Sequence, residues 1–155
     1  MGGDLKAAPA GTKAPTFLVA AAKDPRSGNL DRIQIVKGWL DKNGKGQEKV
    51  YDVVWGDAAR RKIDRKGKLA PVGSTVDVST ATWTNTIGDP ELSAVWTDPD
   101  FDKSVRALYY ARVIEIPTPR WTCYDAVRFG VKVAPEVPMT VQERAWASPI
   151  WYTPQ

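Results

Sequence analysis

The sequence predicts a mainly β fold, an antiparallel sandwich-like domain with at most one or two short helices. Three observations carry that expectation. Short runs rich in Val, Ile, Thr and aromatic residues recur between clusters of Gly, Pro, Asn and Asp. Two of these runs, residues 32–40 and 48–55, flank Asn43 and Gly44, a strong hairpin signal because both residues accept positive φ. The most apolar run, RALYYARVIEIPTPRW at residues 106–121, places Ala107, Tyr109, Ala111 and Val113 on one period-2 face and Leu108, Tyr110, Ile114 and Ile116 on the other. A strand apolar on both sides is buried, so this run is expected to be the central strand. Its end, IPTPRW, is irregular and marks where the strand leaves the core.

Residues 1–15 (MGGDLKAAPAGTKAP) contain few large apolar groups and read as a flexible arm or linker, and residues 16–155 as a single β-rich domain. Within it, residues 16–22 form a first strand and DPRSGN a turn. In residues 32–40, Ile33, Ile35 and Trp39 share a face, with Lys37 in the same row. Residues 48–55 return with Tyr51, Val53 and Trp55 on one side and Val50, Asp52 and Val54 on the other. Residues 74–85 (STVDVSTATWTN) and 91–97 (ELSAVWT) are expected to be strands. Residues 122–130 suit a short helix ending at Gly130, and residues 144–152 a final strand that Pro149 confines to an edge or bulge.

Composition narrows the function. A chain of 155 residues buries about two-thirds of its unfolded surface without disulfides, and its single Cys123 has no internal partner. No apolar run approaches the roughly 20 residues of a membrane span, and no secretory signal opens the chain, so a soluble chain with no membrane partner is expected. Histidine is absent, which removes the commonest general base and the commonest transition-metal ligand. The net charge of +4 is concentrated in DAARRKIDRKGK, residues 57–68, where six cations face two carboxylates. With no aromatic residues interleaved for base stacking, this reads as a solvated loop, and no nucleic-acid partner is expected.

Few residues suggest chemistry. Asp98, Asp100 and Asp102 alternate like the first ligands of a calcium loop, but Lys103 stands where such a loop needs Gly and Tyr109 where it needs Glu, so a surface turn is expected. Lys37 and Arg112 lie in apolar strand rows; the plain reading is pairing with a carboxylate such as Asp52, Asp77 or Glu115, the functional one an anion-recognising cation. Of the seven tryptophans, most belong to strand rows and read as core, while Trp121 and Trp151, beside prolines, are candidates for exposure and ligand contact. The candidate binding residues are therefore Lys37, Arg112, Trp121 and Trp151, with no catalytic or metal-ligating residue.

NLDRIQIVKGW (29–39), EKVYDVVW (48–55), ELSAVWTDPDFD (91–102), YYARVIEIPTPRW (109–121) and ERAWASPIWYTP (143–154) resemble, in order, the C-terminal portion of the domain-of-unknown-function 3604 family. These are long bacterial proteins regarded as relatives of PHP-type metal-dependent phosphoesterases. MGGDL is similar to an internal stretch of such proteins, so the chain resembles a detached tail. The resemblance implies a non-catalytic segment packing on a catalytic region upstream, or self-associating where that region is missing. It also implies a divalent metal in the parent, no cofactor in this chain, and a periplasmic location if the parent is exported. The alternative is a stand-alone ligand-binding module using exposed tryptophans and a cation; a complete small enzyme is disfavoured by the missing histidines.

Overall fold

Alternating apolar residues and turn chemistry produce ten strands and one helix among residues 2–5 and 11–154, which the computed structural model describes. In chain order they are β1 (Gly3–Asp4), β2 (Thr16–Ala22), β3 (Leu30–Leu40), β4 (Gly46–Trp55), β5 (Glu91–Thr97), β6 (Ala107–Glu115), β7 (Thr118–Pro119), α1 (Trp121–Phe129), β8 (Thr140–Val141), β9 (Arg144–Trp146) and β10 (Ile150–Tyr152). The larger sheet runs β1-β10-β6-β3-β4, with β9 also paired to β6; β2 and β5 form a second, two-stranded sheet. The fold is mainly β and sandwich-like, as the sequence predicts.

The core lies between these two sheets. Phe17 on β2 meets Ile35, Ala107 and Tyr109, and Leu92 on β5 meets Leu30 and Ile33. Fully burying an aliphatic side chain contributes about 1.5–3 kcal/mol, so Ile33 and Ile35, each at most 2% exposed, anchor the face that β2 and β5 cover. Gly44 takes φ 73° in the hairpin turn, while Asn43, against the expectation for both residues, keeps an ordinary negative φ. Where β3 and β4 pair, the register slips between Ile33 and Gln34. On the hairpin side of this slip, one unbroken register from the turn puts Lys37 directly opposite Lys49 and Ile35 opposite Tyr51.

Several expectations need correction. The run at 106–121 is not one strand: β6 ends at Glu115, Thr118 and Pro119 pair with β8, and Trp121 opens α1. Proline at 117 and 119 cannot continue the ladder, and Ile116 is nevertheless fully buried. Residues 74–85 form no strand, only an isolated bridge between Asp77 and Thr82. Their hydroxyls and carboxylate bond locally instead, Thr75 to the Thr84 carbonyl and Ser79 to Asp77, which offers the backbone turns in place of a sheet. The final strand is split around Pro149 into β9 and β10, both on β6.

At the N-terminus, Gly3 and Asp4 pair in parallel with Ile150 and Trp151, and the Leu5 amide donates to the Trp151 carbonyl. Residues 6–10 of the expected arm lie outside the described residues. The long connection from β4 to β5 is pinned rather than merely solvated. Arg61, from the basic run, is 5% exposed and donates to Asp31 Oδ1 at 2.6 Å and to the carbonyls of Asp31, Gly56 and Ala70. Gly88, at φ 71°, lets this connection pass so close to β3 that a Cβ there would stand 2.6 Å from the Leu30 carbonyl oxygen.

Candidate functional site

Two lysines directly opposite each other, Lys37 buried and Lys49 half exposed, repel, so each gains from its own anion. The turn between β5 and β6 supplies both. Lys37 Nζ donates to Asp98 Oδ2 at 2.6 Å and to the Asp100 carbonyl at 2.7 Å, while Lys49 pairs with the Asp100 carboxylate. Tyr109, opposite Lys37 on β6, donates its hydroxyl to Asp98 at 2.7 Å, and Tyr51 donates to Asp100 at 2.7 Å. The Asp98 carboxylate also accepts the Asp100 amide at 2.9 Å, which closes the turn beneath the lysines.

This arrangement floors an open cavity of about 270 Å³ lined by Lys37, Trp39, Lys49, Tyr51, Asp100, Asp102, Val105, Ala107 and Tyr109. Burial, and then the bond to Asp98, push the Tyr109 hydroxyl well above the usual phenol range; burial and Asp100 do the same to Tyr51. Hydrogen bonds from Lys49 and then Tyr51 hold the Asp100 carboxyl below its ordinary range. Asp102 is held low by the Ser104 hydroxyl and amide. The tyrosines therefore stay neutral and these carboxylates ionised across physiological pH.

Because the Asp100 value is depressed on folding, its stabilising contribution is complete above the ordinary carboxylate range and is lost only as pH falls through the lower folded value. Carboxyl-carbon NMR titration of Asp100 is expected to give a midpoint below about 3.9, moving upward in Lys49→Met. A midpoint at or above about 4 in the unsubstituted chain would remove the Lys49 and Tyr51 bonds from this account.

Of the four candidate residues, only Lys37 lies in the cavity. Its partner is Asp98, not Asp52, Asp77 or Glu115, because Asp52 is taken by Arg32 and Gln34, Asp77 by Ser79, and Glu115 by Ser27. Asp98, expected in a surface turn, is 2% exposed, since two core-facing side chains converge on it. Arg112 donates to Gln34 Oε1 at 2.8 Å and sits opposite Trp146. Alternation along β6 puts Arg112 and Leu108, and with Leu108 its cross-strand partner Trp151, on the face opposite Tyr109 and Lys37.

Trp151 is 43% exposed and Trp121, at the start of α1, 64%. Trp146, which strand alternation assigns to the core, is also exposed. The sequence reading missed Lys49, Tyr51 and Asp100 as members of one site. The signal available to it was the odd lysine in the Ile33-Ile35-Trp39 row together with DPDFD just before the central strand.

A β-rich, sandwich-like domain with a partly aromatic cavity built on two lysine–aspartate pairs is the class that fold and site define. The chain belongs to the family described as protein of unknown function (DUF3604), whose model matches residues 1–154. No curated protein and no solved structure matches it. The divalent metal implied for the parent does not fit the residues described. Histidine is absent, no three Cys, Asp or Glu side chains gather among the described residues, and the carboxylates of Asp98 and Asp100 are taken by lysines.

Proposed function

We propose that the chain is the non-catalytic, β-rich C-terminal segment of a metal-dependent hydrolase related to the PHP-type enzymes, packing on a catalytic region that carries the metal. The observation that supports this reading is the inverted exposure of α1. A helix on a globular domain ordinarily turns its apolar stripe inward. Here Thr122 and Cys123 are the buried residues, while Trp121, Tyr124, Val127 and Phe129, with Val131 just beyond, face outward. Apolar surface gathered in this way marks an interaction face. The preceding residues, Ile116, Thr118 and Pro119, are buried, so they anchor the start of the helix and the exposed face begins at Trp121.

The pairing of the ionisable groups in the cavity supports the non-catalytic part of the reading. Lys37 and Asp98 neutralise each other, as do Lys49 and Asp100, the neighbouring tyrosines stay protonated, and Asp102 is held below the ordinary carboxylate range, which leaves it a weak base.

The test is titration of this chain with the separately produced catalytic region of a longer family member. Saturable binding is expected, weakened at least tenfold in Trp121→Ala/Phe129→Ser, with α1 amides gaining hydrogen-exchange protection in the complex. Absence of binding, or binding indifferent to that double substitution, would overturn the docking assignment. The second reading, a stand-alone ligand-binding module, draws on the Lys37 cavity and not on a shared site of Lys37 with Trp121 and Trp151.

A further inference from the structure

We propose that the Lys37 cavity is a binding site for a neutral polyhydroxyl ligand, a single sugar ring either free or at the end of a glycan. The presence of both signs of charge, close together and largely paired, points to the class. Lys37 and Lys49 face Asp100 and Asp102, with Asp98 directly behind Lys37. An anionic ligand would meet the carboxylates of Asp98, Asp100 and Asp102, and a cationic one both ammonium groups. A neutral ligand carrying both hydroxyl donors and acceptors disturbs neither pair.

The polar groups of the cavity have capacity for such a ligand. An ammonium has three N–H donors, and Lys37 uses two, to Asp98 and to the Asp100 carbonyl. The third is left for an acceptor in the cavity that the residue lines. Asp102 accepts only from Ser104, leaving lone pairs for hydroxyl donors, and Lys49 and Asp100, each half exposed, stand at the rim with donor and acceptor capacity side by side.

The remaining lining is what the C–H face of a sugar ring needs. Trp39 and Tyr51 present aromatic surface, and Val105 adds apolar lining beside them. The open volume of about 270 Å³ suits one ring, not an extended chain. This site is on the sheet face opposite Trp151 and is built without α1, so it does not depend on the docking reading above.

The experiment is a ¹⁵N-HSQC titration of the isolated chain with a panel of neutral monosaccharides, and with acetate, inorganic phosphate and methylammonium as charged probes. At least one sugar is expected to give saturable shifts at residues 37–39, 49–51 and 98–107, with a Kd on the order of 1 mM. Lys49→Met, whose side chain is half exposed, is expected to weaken that binding about tenfold, whereas Lys132→Ala is expected to leave it within about twofold. Tighter binding of acetate, phosphate or methylammonium would overturn the neutral assignment. No saturable shift from any sugar, or shifts indifferent to Lys49→Met in a variant whose spectrum is otherwise unchanged, would overturn the site itself.

Discussion

Lys37→Met is expected to lower unfolding free energy by about 3–5 kcal/mol in urea denaturation, the largest effect of any single change near the cavity. Lys37 is 5% exposed and Asp98 2%, so removing the ammonium strands an ionised carboxylate in the core. The bonds from Tyr109 and the Asp100 amide remain, but they carry no net charge to offset it. Removing both charges is different. Lys37→Met/Asp98→Asn keeps an acceptor for Tyr109 and is expected to recover most of the loss, because a buried pair replaced by neutral groups of similar volume is often close to neutral in stability. Lys49→Met, which breaks a pair half exposed on both sides, is expected to cost no more than about 1 kcal/mol. If Lys37→Met and Lys49→Met cost the same, the distinction drawn here between a buried anchor and a rim pair fails.

Arg61→Met is expected to have a comparable cost, about 3–5 kcal/mol, and to act on a different part of the fold. Its guanidinium pairs with Asp31 and donates to the carbonyls of Asp31, Gly56 and Ala70, so its loss leaves a buried carboxylate and the Gly56 and Ala70 carbonyls short of a donor. Arg32 and Gln142 still reach the other Asp31 oxygen, which tempers the loss without replacing the fork. Arg61→Lys is expected to rescue less than half, since an ammonium cannot span those directions. Hydrogen exchange should locate the damage: the Gly56 amide, bonded to the Asp31 carbonyl, and the bridge between Ile63 and Leu69 are expected to lose protection before β3 and β6 do. Uniform loss across the sheet would contradict a local anchoring role.

These two arginine and lysine positions also mark where sequence reading succeeds and where it stops. Period-2 alternation and the Asn-Gly turn were enough to read β3 and β4, and 16–22 and 91–97 appear as β2 and β5 with the same bounds. The short helix was legible because Gly130, at φ 62°, ends it as a left-handed cap. What local pattern could not supply was tertiary pairing. Lys37 announces itself as a misplaced charge, but Asp98 lies 61 residues away and looks like a turn residue until the strand order brings it beneath the lysine.

Arg61 was indistinguishable from the solvated cations around it, because nothing in the run at 57–68 says which cation meets Asp31. The Thr-rich run at 74–85 misled for a different reason. Strand propensity expresses packing on a half-buried surface, and with none available the side chains bonded to their own backbone. The register shift at Ile33/Gln34, past the stretch that pairs Lys37 with Lys49, leaves no sequence signature here.

The proposed function gives this chain a role in structure and recognition and leaves catalysis to another region. The most direct measurement is hydrolysis of phosphate and sulfate monoesters and phosphodiesters by the purified chain loaded in turn with Mn²⁺, Zn²⁺ and Mg²⁺. The expected result is turnover indistinguishable from metal alone; turnover that rises in proportion to the concentration of purified chain, co-elutes with it and disappears on unfolding would contradict the account.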